Sequence, residues 1–127
     1  MLFSHVTVGS NNIDKSKIFY DALFDVMGVK GPKNSQKGLL MYAKDNQFLL
    51  VMTPIDGKPA TFANGGTIGF ALDSAEAVKA WHQAGVEHGG KSIEDPPGVR
   101  DNGGVKMYLA YLRDPDGNKL CGYYLVG

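Results

Sequence analysis

The sequence predicts an α+β fold in which two similar passes of strand, helix and strands pack into one unit. Three observations lead there. The order of elements recurs along the chain, at an offset that sets His5 on Thr67, Asn12 on Ser74 and Phe19 on Trp81, so helix cap falls on helix cap. Seventeen glycines and six prolines in 127 residues punctuate the chain at a density that suits short strands and tight turns. Hydrophobic residues make up 43%, enough for one sizeable core, whereas a half-length module is too small to close a core alone. A single domain over residues 1–127 is expected, with module 1 at about 1–60 and module 2 at about 64–127.

In module 1, LFSHVTV (2–8) reads as a strand with Leu2, Ser4, Val6 and Val8 on one face and Phe3, His5 and Thr7 on the other. Asn12 suits an N-cap for a helix over 13–27, where Phe19 or Tyr20, Leu23 and Met27 recur at helical spacing and Gly28 supplies the stop. GLLMYAK (38–44) and QFLLVMTP (47–54) form a hairpin across Asp45-Asn46, and a Gly/Pro-containing connector (55–66) follows.

In module 2, TIGFAL (67–72) is a strand. Asp73 and Glu76 make a D-x-x-E capping pattern for a helix that ends before Gly85. Trp81 belongs to the core. Residues 89–104 read as a Gly/Pro-rich loop with a short strand near Lys91–Ile93. VKMYLAYLR (105–113) and KLCGYYLV (119–126) make a second hairpin around Asp114-Pro115-Asp116-Gly117-Asn118, where Pro second and Gly fourth suit a type I turn.

Composition removes several function classes. Thirteen basic and thirteen acidic side chains balance, and no two Lys or Arg are adjacent, so no nucleic-acid partner is expected. No apolar run reaches the roughly 20 residues of a membrane span, and the first residues lack signal-peptide character. Cys121 is the single cysteine, which excludes an intrachain disulfide and suits a reducing, cytoplasmic setting.

Strand parity then picks out candidate site residues. With His5 and Thr67 inward, Gly69 and Ala71 line a low wall while Ile68, Phe70 and Leu72 face a helix. Cys121 shares a face with Lys119 and Tyr123, and Tyr111 shares one with Met107, Leu109 and Arg113. Arg100, in Glu94-Asp95-Pro96-Pro97-Gly98-Val99-Arg100, could hold a substrate carboxylate or phosphate over the cleft mouth, or pair with Glu94 or Asp95. Asp114, Asp116 and Asn118 are read as turn residues.

The duplicated strand–helix–strands order, His5 on the early strand, Phe19-Tyr20 on the helix, and above all LRDPDGNKL (112–120) resemble the vicinal oxygen chelate superfamily. That superfamily includes glyoxalase I, bleomycin-resistance proteins and extradiol dioxygenases. ANGGTIGF (63–70), EDPPG (94–98) and YLAYLRDPDGNKLC (108–121) are similar to small bacterial glyoxalase-like proteins. The resemblance covers nearly the whole chain. It implies two β-α-β-β-β modules with a cleft lined by curved mixed sheet, and a homodimer.

It also implies four metal-ligand positions, which fall on His5, Thr67, Leu50 or Val51, and Cys121. Only His5 is a family ligand type, with Cys121 an unusual substitute. No cofactor is therefore expected, and Zn, Ni, Fe or Mn would have at most two protein ligands where three are needed. Metal-dependent lactoylglutathione lyase chemistry is not expected either.

Two functions remain open. One is a glyoxalase-like enzyme acting on a small molecule, with His5, Cys121 and Tyr111 catalytic and Thr67, Gly69, Arg100, Arg113 and Tyr123 binding the substrate. The other is a non-catalytic binding protein of the bleomycin-resistance type.

Overall fold

The computed structural model describes residues 2–127; Met1 lies outside the described residues. Module 1 contains β1 (His5–Gly9), α1 (Ile13–Val26), β2 (Asn34–Gln36), β3 (Leu39–Lys44) and β4 (Gln47–Met52). Module 2 contains β5 (Ile68–Ala71), α2 (Ala75–Glu87), β6 (Lys91–Asn102), β7 (Val105–Arg113) and β8 (Lys119–Leu125). The sheets are ordered β1-β4-β3-β2 and β5-β8-β7-β6, so the duplication extends to topology. In each, the first strand runs parallel to the last and the other pairs are antiparallel. The two sheets share no strand pairing, and the helices pack against each other.

Both helix starts follow from their caps. Asn12 accepts a hydrogen bond from the Lys15 backbone N–H at 3.1 Å. In α2 the cap is Ser74, whose Oγ accepts from the Ala77 N–H at 3.0 Å, one residue later than the D-x-x-E pattern implies. Helix α1 stops at Met27, and Gly28 takes the left-handed φ of 82° that its place after the helix requires.

Helix α2 does not end before Gly85; it continues to Glu87. A Cβ at Gly85 would lie 2.4 Å from Leu112 Cδ1 and 3.3 Å from Phe19 Cε1, so this glycine permits close packing. The stop belongs to Gly89, at φ 102°.

The 89–104 segment is likewise not a loop, because Lys91–Asn102 is the edge strand β6. Pro96 and Pro97 are accommodated by a bulge, where the register with β7 moves from Ile93–Tyr111 to Gly98–Leu109. Strand β2 carries only exposed polar side chains, so its pairing with β3 leaves no hydrophobic alternation to read. Strand β1 begins at His5, later than expected, with Leu2 87% exposed before it. The β3–β4 hairpin turns on Asp45 and Asn46 (φ 52° and 63°), the left-handed pair that a two-residue hairpin needs.

The buried cluster draws on both modules, including Phe19, Tyr20, Leu23, Phe24, Tyr42, Val51, Trp81 and Leu112. Polar bonds join the modules as well. Asp114 Oδ2 accepts from the Tyr20 hydroxyl (2.6 Å) and Asn118 Nδ2 (2.8 Å), and its Oδ1 accepts from the backbone N–H groups of Asp116 and Asn118. Asn118 Nδ2 also donates to the Gly9 carbonyl, and Asp116 accepts from the Asn11 N–H. Burial pushes the Asp114 carboxyl above its usual range, and the bonds from Tyr20 and Asn118 pull it part of the way back.

Two stability predictions follow from this core. A Cβ at Gly122 would lie 2.7 Å from Trp81 Cε3, so Gly122→Ala should cost about 1–3 kcal/mol in denaturant unfolding. Burial raises both Tyr20 and Tyr42 above the ordinary tyrosine value of 10.0, helped by Asp114 and Asp21 respectively. The unfolded chain sheds these phenolic protons above pH ~10 while the folded chain keeps them. Stability is therefore full below that pH and falls above it, by up to about 1.4 kcal/mol per pH unit for each tyrosine. Tyr42→Phe should flatten the decline in alkaline unfolding curves.

Candidate functional site

Each sheet turns one face to the helices and leaves the other free. In β5, Ile68 and Phe70 pack against the core while Gly69 and Ala71 are exposed, the split expected from the sequence. In β1, Val6 and Val8 point inward, and His5 and Thr7 take the other face. Leu50 pairs with Thr7 and shares this helix-free face, whereas Val51 is fully buried in the core. Parity therefore resolves the choice between the two in favour of Leu50. On sheet 2, Cys121 pairs with Gly69 on one side and Tyr111 on the other, and Tyr123 pairs with Ala71 and Leu109.

His5, Thr67 and Gly69 come together on a cavity of about 390 Å3 between the start of β1, the β3–β4 hairpin and β5. Its floor contains Phe24, Met27, Tyr42 and Phe70, and Ser4, Lys44, Asp45 and Gln47 stand among its polar residues. His5 Nδ1 and Ser4 Oγ are hydrogen-bonded at 2.8 Å, which orients the imidazole. Phe24 and Tyr42 are at the same time buried core, while Met27 and Phe70 are partly buried against it.

The other candidates do not line this cavity. Cys121 is 7% exposed, its Sγ donates to the Gly122 carbonyl at 3.6 Å, and Tyr111 is its cross-strand neighbour. Desolvation pushes the thiol above its usual value despite the neighbouring Tyr111 hydroxyl and the nearby Lys119 and Arg100 charges. Burial, with the neighbouring Cys121, likewise raises Tyr111. Lys119 lies 5.0 Å from the Tyr111 ring centroid and forms an ion pair with Glu94. Arg100 donates to the carbonyls of Gly98 and Asp95, both at 3.0 Å, so its guanidinium folds back onto the β6 bulge instead of pairing with an acid. Arg113 donates to the Gly117 carbonyl at 2.7 Å and stacks over Phe62. Tyr123 is half-buried on the helix-free face.

A divalent metal at the positions implied by the resemblance would meet the imidazole of His5, the hydroxyl of Thr67, the hydrocarbon of Leu50 and a thiol held protonated by burial. That donor set does not fit such an ion. Among the described residues, no group of three His, Cys, Asp or Glu side chains is placed to hold one. His82 and His88 are elsewhere, bonded to Ser92 Oγ and the Ala84 carbonyl.

Cys121 should alkylate slowly with iodoacetamide near neutral pH, with the rate climbing only above pH 9.0. Tyr111→Phe removes the neighbouring hydroxyl that favours the thiolate and should move the profile further up.

A family model, Glyoxalase/Bleomycin resistance protein/Dioxygenase superfamily, matches residues 2–121. The chain is 47% identical to a glyoxalase/bleomycin resistance protein from Albidiferax ferrireducens, with TM-score 0.93, covering 98% of this chain and 99% of that one. It shares its fold with a glyoxalase/bleomycin resistance protein/dioxygenase family enzyme from Burkholderia phytofirmans (17% identity, TM-score 0.75, 97% and 98% covered). The same holds for a glyoxalase-related enzyme from Fulvimarina pelagi (17% identity, TM-score 0.72, 96% and 86% covered). No curated protein matches the chain.

Proposed function

The chain belongs to the glyoxalase/bleomycin resistance protein/dioxygenase superfamily, and from that premise we propose that it binds a small molecule without a metal at the family's ligand positions. One observation carries the reading: a largely apolar cavity with His5 and Thr67 on its wall, where His5 has no second and third His, Cys, Asp or Glu beside it among the described residues. The two modules act as one domain in this reading, in the cytoplasm, where the lone Cys121 stays reduced.

A catalytic reading has its own support in the hydrogen bond between Ser4 and His5, which orients the imidazole on the cavity wall where it can act as acid or base. Cys121 and Tyr111 sit outside that cavity, so they would act on a ligand only across a second surface.

We also propose a homodimer. The helix-free face of sheet 1 carries Leu39, Met41, Phe48, Leu50 and Met52, and that of sheet 2 carries Met107, Leu109, Tyr123 and Leu125. Two such faces on one small molecule call for cover, and a two-fold pair covers both at once. Leu50→Lys should convert the sedimenting species to a 13.7 kDa monomer; a monomeric wild type at micromolar concentration rules the dimer out.

Binding and catalysis separate in one sequence of measurements. A metabolite screen by thermal shift should give hits that His5→Ala weakens. Recovery of each hit unchanged supports binding, and turnover lost in His5→Ala establishes an enzyme. Elemental analysis of protein purified without chelator should show no stoichiometric Zn, Ni, Fe or Mn; a metal lost in His5→Ala overturns the metal-free reading.

A further inference from the structure

We infer that the cavity takes a short peptide in extended conformation, held by its main-chain amides between the edges of β1 and β5; this rests on the cavity being the ligand site. The lining points to the backbone. Residues 3–6 border the cavity as one unbroken run, and so do residues 67–71. Successive side chains of a strand point to opposite faces, Phe70 to the core and Gly69 away from it. Side chains alone therefore cannot set a whole run against one cavity. The opening is a slot that follows the edge of β5 and the start of β1.

Those edges are free. β1 and β5 are terminal strands, and each pairs with one described strand only, β4 and β8 respectively. In a parallel pair, alternate residues turn both N–H and C=O to the neighbour, and the residues between them turn theirs away. Ser10 donates to the Met52 carbonyl and Leu72 to the Tyr123 carbonyl, which fixes the phase. His5 and Gly9 therefore turn their main-chain groups away from β4, and Gly69 and Ala71 turn theirs away from β8. One of these groups shows what such an edge accepts. The Gly9 carbonyl takes an N–H from the Asn118 carboxamide at 3.2 Å, an amide that belongs to no neighbouring strand. Further along, the edge groups of His5, Gly69 and Ala71 have no hydrogen-bond partner among the described residues.

The spacing suits one inserted strand. No Cα of β1 comes within 8 Å of a Cα of β5, so the two are too far apart to pair with each other. Strands that flank a third lie about 9.6 Å apart, twice the usual interstrand distance. Both edges border a single cavity of about 390 Å3, so the gap is bounded as well as open. A peptide carries N–H and C=O groups on both sides and can satisfy two edges at once. A slot walled by runs of this length holds roughly three or four residues at about 3.3 Å each.

The test uses the intact, isotope-labelled protein, titrated with acetyl-trialanine amide and read by amide NMR. The N–H groups of His5, Gly69 and Ala71 should shift saturably. Their exchange with solvent should slow about tenfold once the peptide is about ten times above half-saturation. Val6, Val8 and Phe70, whose N–H groups already serve β4 and β8, should gain no protection. The N-methylated analogue keeps the carbonyls and lacks the N–H donors, and should bind roughly tenfold or more weakly. Gly69→Pro removes an edge N–H that β8 does not use and should abolish the response. Should that variant fail to fold, the analogue decides alone. If the analogue binds as well as its parent, or protection falls on Val6, Val8 and Phe70 instead, the peptide inference is wrong. If trialanine gives no response up to its solubility limit while a hit from the thermal-shift screen moves Gly69 and Ala71, the peptide class falls and the cavity stands as the site. If neither moves them, both readings fall.

Discussion

The buried carboxyl of Asp114 is the tie on which the arrangement of the two modules depends. It sits in the last turn of module 2, yet it accepts the hydroxyl of Tyr20 from the helix of module 1. Asn118, bonded to the same oxygen, reaches the Gly9 carbonyl at the end of β1. Beside it, Asp116 accepts from Asn11 and from Ser16, which in turn is bonded to Ser10. Every member of this network is satisfied by another, so loss of one leaves several buried polar groups unpaired. The DPDGN turn therefore fixes where β1 enters the molecule, and with it where His5 stands.

Close packing completes the placement. Gly85 and Gly90 let α2 and the segment after it approach α1, since a Cβ at either would meet Leu112 or Phe19 at 2.4 Å. Helix against helix holds the modules together while their sheets stay separate, so β1 and β5 keep free edges. Tyr42, Phe24 and Phe70 belong to the core and also lie beneath the cavity between those edges. The connector is drawn in at the same place: Asn11 exchanges two hydrogen bonds with the Ala60 backbone, and Ala60 packs on Gly9 so tightly that a Cβ at Gly9 would lie 2.8 Å from it.

The chemistry divides along these lines. Desolvation makes Cys121 a packed, protonated thiol beside Tyr111 and the Lys119–Glu94 pair. His5 remains exposed and oriented by Ser4. The two lie on different sheets with different partners, so whatever His5 does in the cavity it does with Thr67, Gly69 and an aromatic floor.

Local chemistry was legible in the residues. Asn12 and Gly28 bounded a helix, Asp45-Asn46 turned a hairpin, and alternation in TIGFAL separated a low wall from a bulky one, because each is decided by the conformational preference of neighbouring residues. The misreadings share a physical cause in the third dimension. Gly85 reads as a helix stop and is a contact with Leu112; Pro96 and Pro97 read as loop and sit in the bulge of an edge strand; β2 is a strand only because β3 lies beside it. By itself the sequence determined the duplicated α+β topology and the family, since these rest on residue type and order. Tertiary structure alone decided that Leu50 and not Val51 shares the face of His5, that Arg100 is occupied by backbone carbonyls, and that His5 and Thr67 meet over Phe24 and Tyr42. Those depend on distances between segments far apart in the chain, set by how two helices pack and where Asp114 finds its partners.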